Sequence, residues 1–173
     1  MKEALLKRFL RYVSFNTQSD PKSLDTPSTV AQKDFALLLQ DEIRQMGIED
    51  VSVSEKGYLM ANISANTKKN IPAIGFIAHL DASPDMTAAG VKARVHNNYG
   101  GETIVLDKAG KYCLNPAEHP ALLNYTGQTI VTTDGSTLLG ADNKAGIAEI
   151  MTALETIQDN PELPHGAIKV AFT

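Results

Sequence analysis

Five apolar residues, Leu5, Leu6, Phe9, Leu10 and Val13, recur at helical spacing between Ala4 and Val13, with Lys7, Arg8 and Arg11 opposite them. This spacing predicts an amphipathic helix that covers a core. Residues 16–28, rich in Ser, Thr, Asp and Pro, read as a loop. Thr26-Pro27 has the form of an N-cap with proline at the first helical position, and Val30, Phe35, Leu38, Leu39, Ile43 and Met46 trace one face of a second helix that Gly47 stops. Val51–Val53 and Tyr58–Ile63 read as a hairpin turning at Lys56-Gly57. Ile74 to Ala78 follows as a buried strand, so the order is helix, helix, hairpin, strand.

Residues 82–128 are irregular, with one short strand candidate at Thr103–Leu106. Long segments of this kind in a compact domain are usually functional or mobile. Thr129–Thr133 reads as another strand, and Ile147, Ile150, Met151, Leu154 and Ile157 mark the core face of a third helix ended by Asn160-Pro161. Ala167–Thr173 alternates as a last strand. The expected fold is α/β and three-layered, with a mixed, largely parallel sheet flanked by helices.

Composition narrows the partners more than the fold. With 16 Lys+Arg against 20 Asp+Glu the net charge is −4, and no basic stripe is present to neutralise phosphates, so nucleic acid is not expected as a partner. The longest apolar stretch, Ile71 to Leu80, is about half of what spans a bilayer, and the charged N-terminus is unlike a secretory signal, so neither is a membrane. The single cysteine, Cys113, fits a reducing compartment, read as the cytoplasm.

Two places carry candidate chemistry. The strand at Ile74 runs into His79-Leu80-Asp81, and residues two apart on a strand share a face, so His79 and Asp81 can enter one site. Such a pair equally suits a strand that turns polar on meeting solvent. The second place is Leu138-Leu139-Gly140-Ala141-Asp142-Asn143-Lys144, where a strand and a tight turn would feed a helix. Position alone favours Asp142 as a helix cap over a cation ligand. Lys144, a cation in the first helical turn, opposes the macrodipole, and a local rule broken beside acidic residues hints at function.

Together His79, Asp81 and Asp142 offer one imidazole and two carboxylates, a donor set suited to zinc, manganese or cobalt rather than calcium. His96, His119 and His165 read as loop or turn histidines, Cys113 as an inert filler, and Asp85 as a residue that tightens the loop after the strand.

His79-Leu80-Asp81-Ala82-Ser83-Pro84-Asp85 and Gly140-Ala141-Asp142-Asn143-Lys144-Ala145-Gly146 together resemble a family of co-catalytic di-zinc metallopeptidases. The family includes aminopeptidases, carboxypeptidases, acylases and succinyl-diaminopimelate desuccinylases, and Tyr99-Gly100-Gly101-Glu102 is similar to its tripeptide-aminopeptidase branch. The resemblance implies a zinc-exopeptidase fold and an enzyme that releases the N-terminal residue from tripeptides with two Zn2+ ions, for which Co2+ or Mn2+ could substitute. It makes His79 a ligand of one zinc and Asp142 the carboxylate bridging both. Asp81 becomes the active-site acid that orients the imidazole. A related deacylase or carboxypeptidase, or a non-catalytic α/β module, remains open.

In that family the strand matching Ala167–Thr173 is followed by two glutamates, a general base and a metal ligand. Further ligands and a second domain through which a homodimer forms lie beyond. The expectation is therefore that residues 1–173 are the N-terminal part of the catalytic domain, truncated before the glutamate pair and without the second domain. Loss of the general base removes roughly 10²–10⁴ in rate, so this chain alone is expected to be inactive and to bind zinc weakly.

Overall fold

The computed structural model describes all of residues 1–173. Cα proximity divides them into two compact units, one made of residues 1–85 and 140–173, the other of residues 86–139.

In the first unit, α1 (Lys2–Val13), α2 (Val30–Gln45) and α3 (Ala141–Asp159) accompany a sheet of β1 (Val51–Val53), β2 (Leu59–Ile63), β8 (Ile168–Phe172) and β3 (Ile74–Ala78), in that spatial order. β1 pairs antiparallel with β2, β2 antiparallel with β8, and β3 parallel with β8. The sheet is mixed, as the pattern predicts, but the four strands described are not largely parallel: one pairing is parallel and two are antiparallel. The parallel pair is joined through α3, because strands that run the same way need a crossover.

Alternation decides what each face does. Leu59, Ala61 and Ile63 of β2 and Ile168, Val170 and Phe172 of β8 are buried and form one core with Tyr12, Phe35, Leu39, Ile43, Ile147 and Met151 of the helices. The opposite face carries exposed Met60, exposed Ile77, and Lys169 donating to Asn62 Oδ1 at 2.8 Å. Helices of the first unit therefore cover one face of this sheet. The strand read as buried is not buried here. β3 lies at the sheet edge with Ile74 to Ile77 exposed and Ala78 alone enclosed, because an apolar run records a preference for cover but not where the cover comes from.

The second helix starts later than Thr26-Pro27 suggests. That peptide bond is cis and precedes the helix; Thr29 takes the N-cap position in extended geometry, and its hydroxyl donates to Gln18 O at 3.1 Å instead of capping. At the other end Gly47, at φ +87°, supplies the left-handed residue that ends α2.

Tyr12 ties α1 to α2. Its buried ring meets Phe35 edge-on at 5.5 Å, and its hydroxyl donates to Glu42 Oε2 at 2.6 Å. Burial and the adjacent Glu42 carboxylate both hold the phenol far above its ordinary titration range. Tyr12→Phe is expected to cost about 1.5–3 kcal/mol, the usual value of a hydrogen bond to a charged group, read from urea unfolding.

The second unit contains four short strands, in two pairs, and a 3-10 helix. β4 (Arg94–His96) pairs with β7 (Ile130–Thr132), and β5 (Ile104–Val105) with β6 (Cys113–Leu114). The 3-10 helix spans Pro120–Tyr125. Of these, β5 falls within the expected Thr103–Leu106 and β7 within Thr129–Thr133; β4, β6 and the 3-10 turn are too short for a periodicity to register.

Candidate metal centre

β3 ends at Ala78, but its pairing with β8 continues: Thr173 N donates to Ala78 O at 3.0 Å and Leu80 N to Thr173 O at 2.6 Å. Leu80 and Ala82 point inward and are buried, which leaves His79 and Asp81 on the other side and half-exposed. The alternation expected from the sequence thus persists past the last strand residue.

The second arm begins at Gly140, whose φ of +73° turns the chain into α3. Asp142 and Asn143 are not helical (φ −89°, ψ 105° and φ −120°, ψ 30°), the peptide between them is cis, and regular helix starts at Lys144. No strand immediately precedes Asp142, contrary to the sequence reading; β7 ends at Thr132 and belongs to the second unit. Gly146 lies one turn on, where a Cβ would meet the Asn143 side-chain amide and force it to move.

Asp142 does not cap the helix: its carboxylate is engaged with His79 and not with a backbone N–H of α3. Its carboxylate, 93% exposed, meets His79 Nε2 with Oδ1 at 2.8 Å, and His79 Nδ1 lies 3.0 Å from Asp81 Oδ1 and 3.1 Å from Asp81 O. The three residues singled out from sequence are therefore in direct contact, with a carboxylate at each ring nitrogen.

Partial burial opposes protonation of the His79 ring, but the Asp142 hydrogen bond and the Asp81 charge outweigh it, so its pKa is raised. In metal-free protein the stabilisation from this contact is fully present below about pH 6.5, the ordinary imidazole value, and is lost as pH rises through the raised folded value. An imidazole-proton NMR titration should place the His79 midpoint above 6.5, and Asp142→Asn should lower it.

The remaining candidates stay apart from this cluster. His96 Nε2 lies 3.0 Å from Thr132 Oγ1 in the second unit, and His165 Nδ1 sits 2.8 Å from Gly166 O in a turn. His119 is exposed at the start of the 3-10 helix. Asp85 accepts from Ser83 Oγ at 2.7 Å and tightens the loop. Cys113 is exposed on β6 and fills no core. Lys144 does not face the acids: it is buried, its ammonium donates to Phe15 O, and burial lowers its pKa to about 8.

Thr17 could not be found from the sequence, where it is one polar residue in a polar loop. Fully buried, it donates through Oγ1 to Leu80 O at 2.7 Å, between His79 and Asp81. A cavity of about 230 Å³ opens beside Asp81, lined by Ser19, Thr26, Gln32, Lys56 and Thr173. A larger cleft of about 360 Å³, lined by Arg8, Arg11, Glu42 and Glu155, has no histidine and is occupied by ion pairs.

The donor chemistry can be tested against a cation. Two ligands of a tetrahedral zinc, each at about 2.0–2.1 Å, stand about 3.3 Å apart, so the 2.8 Å His79–Asp142 contact needs to open by only about half an ångström. Asp81 on the far ring nitrogen is the partner a ligating histidine usually has. These residues fit part of a metal site. They do not close one, since no group of three or more His, Cys, Asp or Glu side chains is placed to hold an ion.

No helix is long and apolar enough to cross a membrane. No protein-family model matches the chain. Curated relatives do. The chain is 50% identical over all 173 residues to peptidase T of Geobacillus sp. (strain WCH70), and 52% identical over 171 residues to peptidase T of Alkaliphilus oremlandii. In both cases it spans 42% of the relative's length.

Among solved structures, aminopeptidase PepT from Bacillus cereus superposes with a TM-score of 0.66 at 19% identity, over all of this chain and 36% of that one. A Staphylococcus aureus tripeptidase gives 0.66 at 22% over the same shares, and an M20 family metallo-carboxypeptidase from Sulfolobus solfataricus 0.53 at 16%, over 97% and 30%. These likenesses show the α/β fold. Over its entire length the chain is half identical to peptidase T sequences, of which it spans about two fifths.

Proposed function

We propose that these residues belong to a metal-dependent aminopeptidase that releases the N-terminal residue of tripeptides, with His79 and Asp142 as metal ligands and Asp81 as the acid that orients His79. The observation that carries this reading is the imidazole set between two carboxylates, at 2.8 and 3.0 Å, in a chain half identical to peptidase T sequences. The proposed cations are two zinc ions, with cobalt or manganese as substitutes. When bound, such a pair polarises a peptide carbonyl and activates a water.

The chain's own residues have separate tasks in this reading. Asp81 holds the ring so that Nε2 points toward Asp142. Residues 1–173 are proposed as one part of the catalytic domain. The general base, the remaining ligands and a dimer-forming domain would be supplied by other parts of the whole protein, and the proposed compartment is the cytoplasm.

The test is a cleavage panel of tripeptides, dipeptides and N-acyl amino acids on the whole protein, with and without chelator. Chelator-sensitive release of the N-terminal residue from tripeptides is expected. Cleavage of N-acyl amino acids without tripeptide cleavage would establish a deacylase instead, and release from the C-terminus a carboxypeptidase. Tight stoichiometric binding of two zinc ions with turnover by residues 1–173 alone would overturn the division of the site.

A further inference from the structure

His79 and Asp142 are 63 residues apart in sequence and meet through one half-exposed and one almost fully exposed side chain, so nothing in their own contact fixes the spacing. The two backbone arms that carry them are each anchored from elsewhere. Thr17 Oγ1 donates to Leu80 O at 2.7 Å, between His79 and Asp81. The same stretch runs beside the loop as a parallel bridge from Gln18 to Ala82, with Ala82 N donating to Thr17 O at 3.1 Å and Ser19 N to Ala82 O at 3.0 Å. Two residues before Thr17, the carbonyl of Phe15 accepts from the ammonium of Lys144, two residues after Asp142.

Lys144 is an expensive way to make one hydrogen bond. It is 1% exposed, takes part in no ion pair, and has the Phe35 ring centroid 5.8 Å from Nζ as its other electrostatic neighbour. A buried ammonium without a carboxylate is costly. A methionine would fill the same volume without that cost, so general packing does not explain the amine. Its reach to the Phe15 carbonyl does, because that carbonyl lies on the segment that also grips the histidine arm.

We infer that the segment Phe15–Ser19 is a positioning clasp, gripping the His79–Asp81 arm through Thr17 and the Asp142 arm through Lys144, and so setting the distance across which a cation is held. The inference rests on the proposed metal site. Functional groups of this kind need placement within about 0.5 Å, and two grips two residues apart on one short segment leave little freedom between the arms. Neither Thr17 nor Lys144 touches the cation; both act through backbone.

The experiment compares Thr17→Val, Thr17→Ser, Lys144→Met and the double variant T17V/K144M in the whole protein, by two readouts. In metal-free protein, hydrogen exchange is followed by mass spectrometry. Thr17→Val should speed exchange roughly fivefold to tenfold in the peptide covering residues 144–152 as well as around residue 80, the effect of losing one buried hydrogen bond. With cobalt(II) as the probe, each single valine or methionine change should weaken binding about 10–100-fold and alter the visible absorption bands, Thr17→Ser should restore both, and the double variant should be little worse than either single one.

Exchange confined to the neighbourhood of residue 80, together with cobalt spectra and affinities like the parent's, would overturn the clasp and leave Thr17 a local structural residue. Absence of cobalt binding by the parent protein would overturn the metal reading, while the exchange pattern would still decide whether the two arms are coupled.

Discussion

Asp142→Asn in the whole protein is expected to reduce tripeptide hydrolysis on the order of 10³-fold or more while leaving the melting temperature almost unchanged. The two halves of this expectation come from separate observations. Asp142 is nearly fully exposed, caps no helix, and is bonded to His79 alone among the protein's side chains, so little folding stability depends on its charge. As the proposed metal ligand it would supply anionic oxygens, which an amide cannot. Loss of one such electrostatic contribution is several kcal/mol at the reacting centre, and each 1.36 kcal/mol is tenfold in rate. Steady-state kinetics and differential scanning calorimetry on one preparation test both halves. An Asp142→Asn enzyme with full activity would remove Asp142 from the chemistry, and one that lost activity only by unfolding would return it to a structural role.

How far the sequence discloses this site depends on which kind of information each residue carries. His79, Asp81 and Asp142 could be chosen because their chemistry is a property of the side chain, and the alternation past Ala78 places the first two together. The helical stripes through Phe35, Leu39 and Ile43 and through Ile147, Met151 and Leu154 were legible for the same reason, since a period reports which face seeks cover.

What could not be read is whatever depends on a distant partner. The apolar β3 looks buried because hydropathy does not say which residues will lie against it, and within these 173 residues most of it is exposed. Lys144 looks like a surface cation in the wrong helical turn, yet its partner is a carbonyl 129 positions away. Asp142 resembles a cap because caps are what acids before helices usually are; its carboxylate turns to His79 instead. Thr17 has no signature at all, since one hydroxyl in a polar loop looks like any other until a carbonyl is found above it.

Phe35→Ala is expected to be the most damaging single truncation in the first unit, lowering stability by about 3–5 kcal/mol. The ring is completely enclosed, edge-on to Tyr12 at 5.5 Å and tilted against Phe15 at 5.3 Å. Its removal would leave a void at the junction of α1, α2 and the segment that follows α1. Close packing means the neighbours collapse only partly, which is why the cost exceeds the transfer energy of the lost atoms. At about 2–4 °C per kcal/mol for a chain of this size, the melting temperature should fall by roughly 10 °C. The void would also reach the site, because the Lys144 ammonium lies over the same ring and Phe15, whose carbonyl holds that ammonium, packs on it. Phe35→Leu, which keeps most of the volume, should retain more than half of the stability lost in Phe35→Ala. A loss below about 1 kcal/mol for the alanine variant in urea unfolding would show that Phe35 is not the centre of this core.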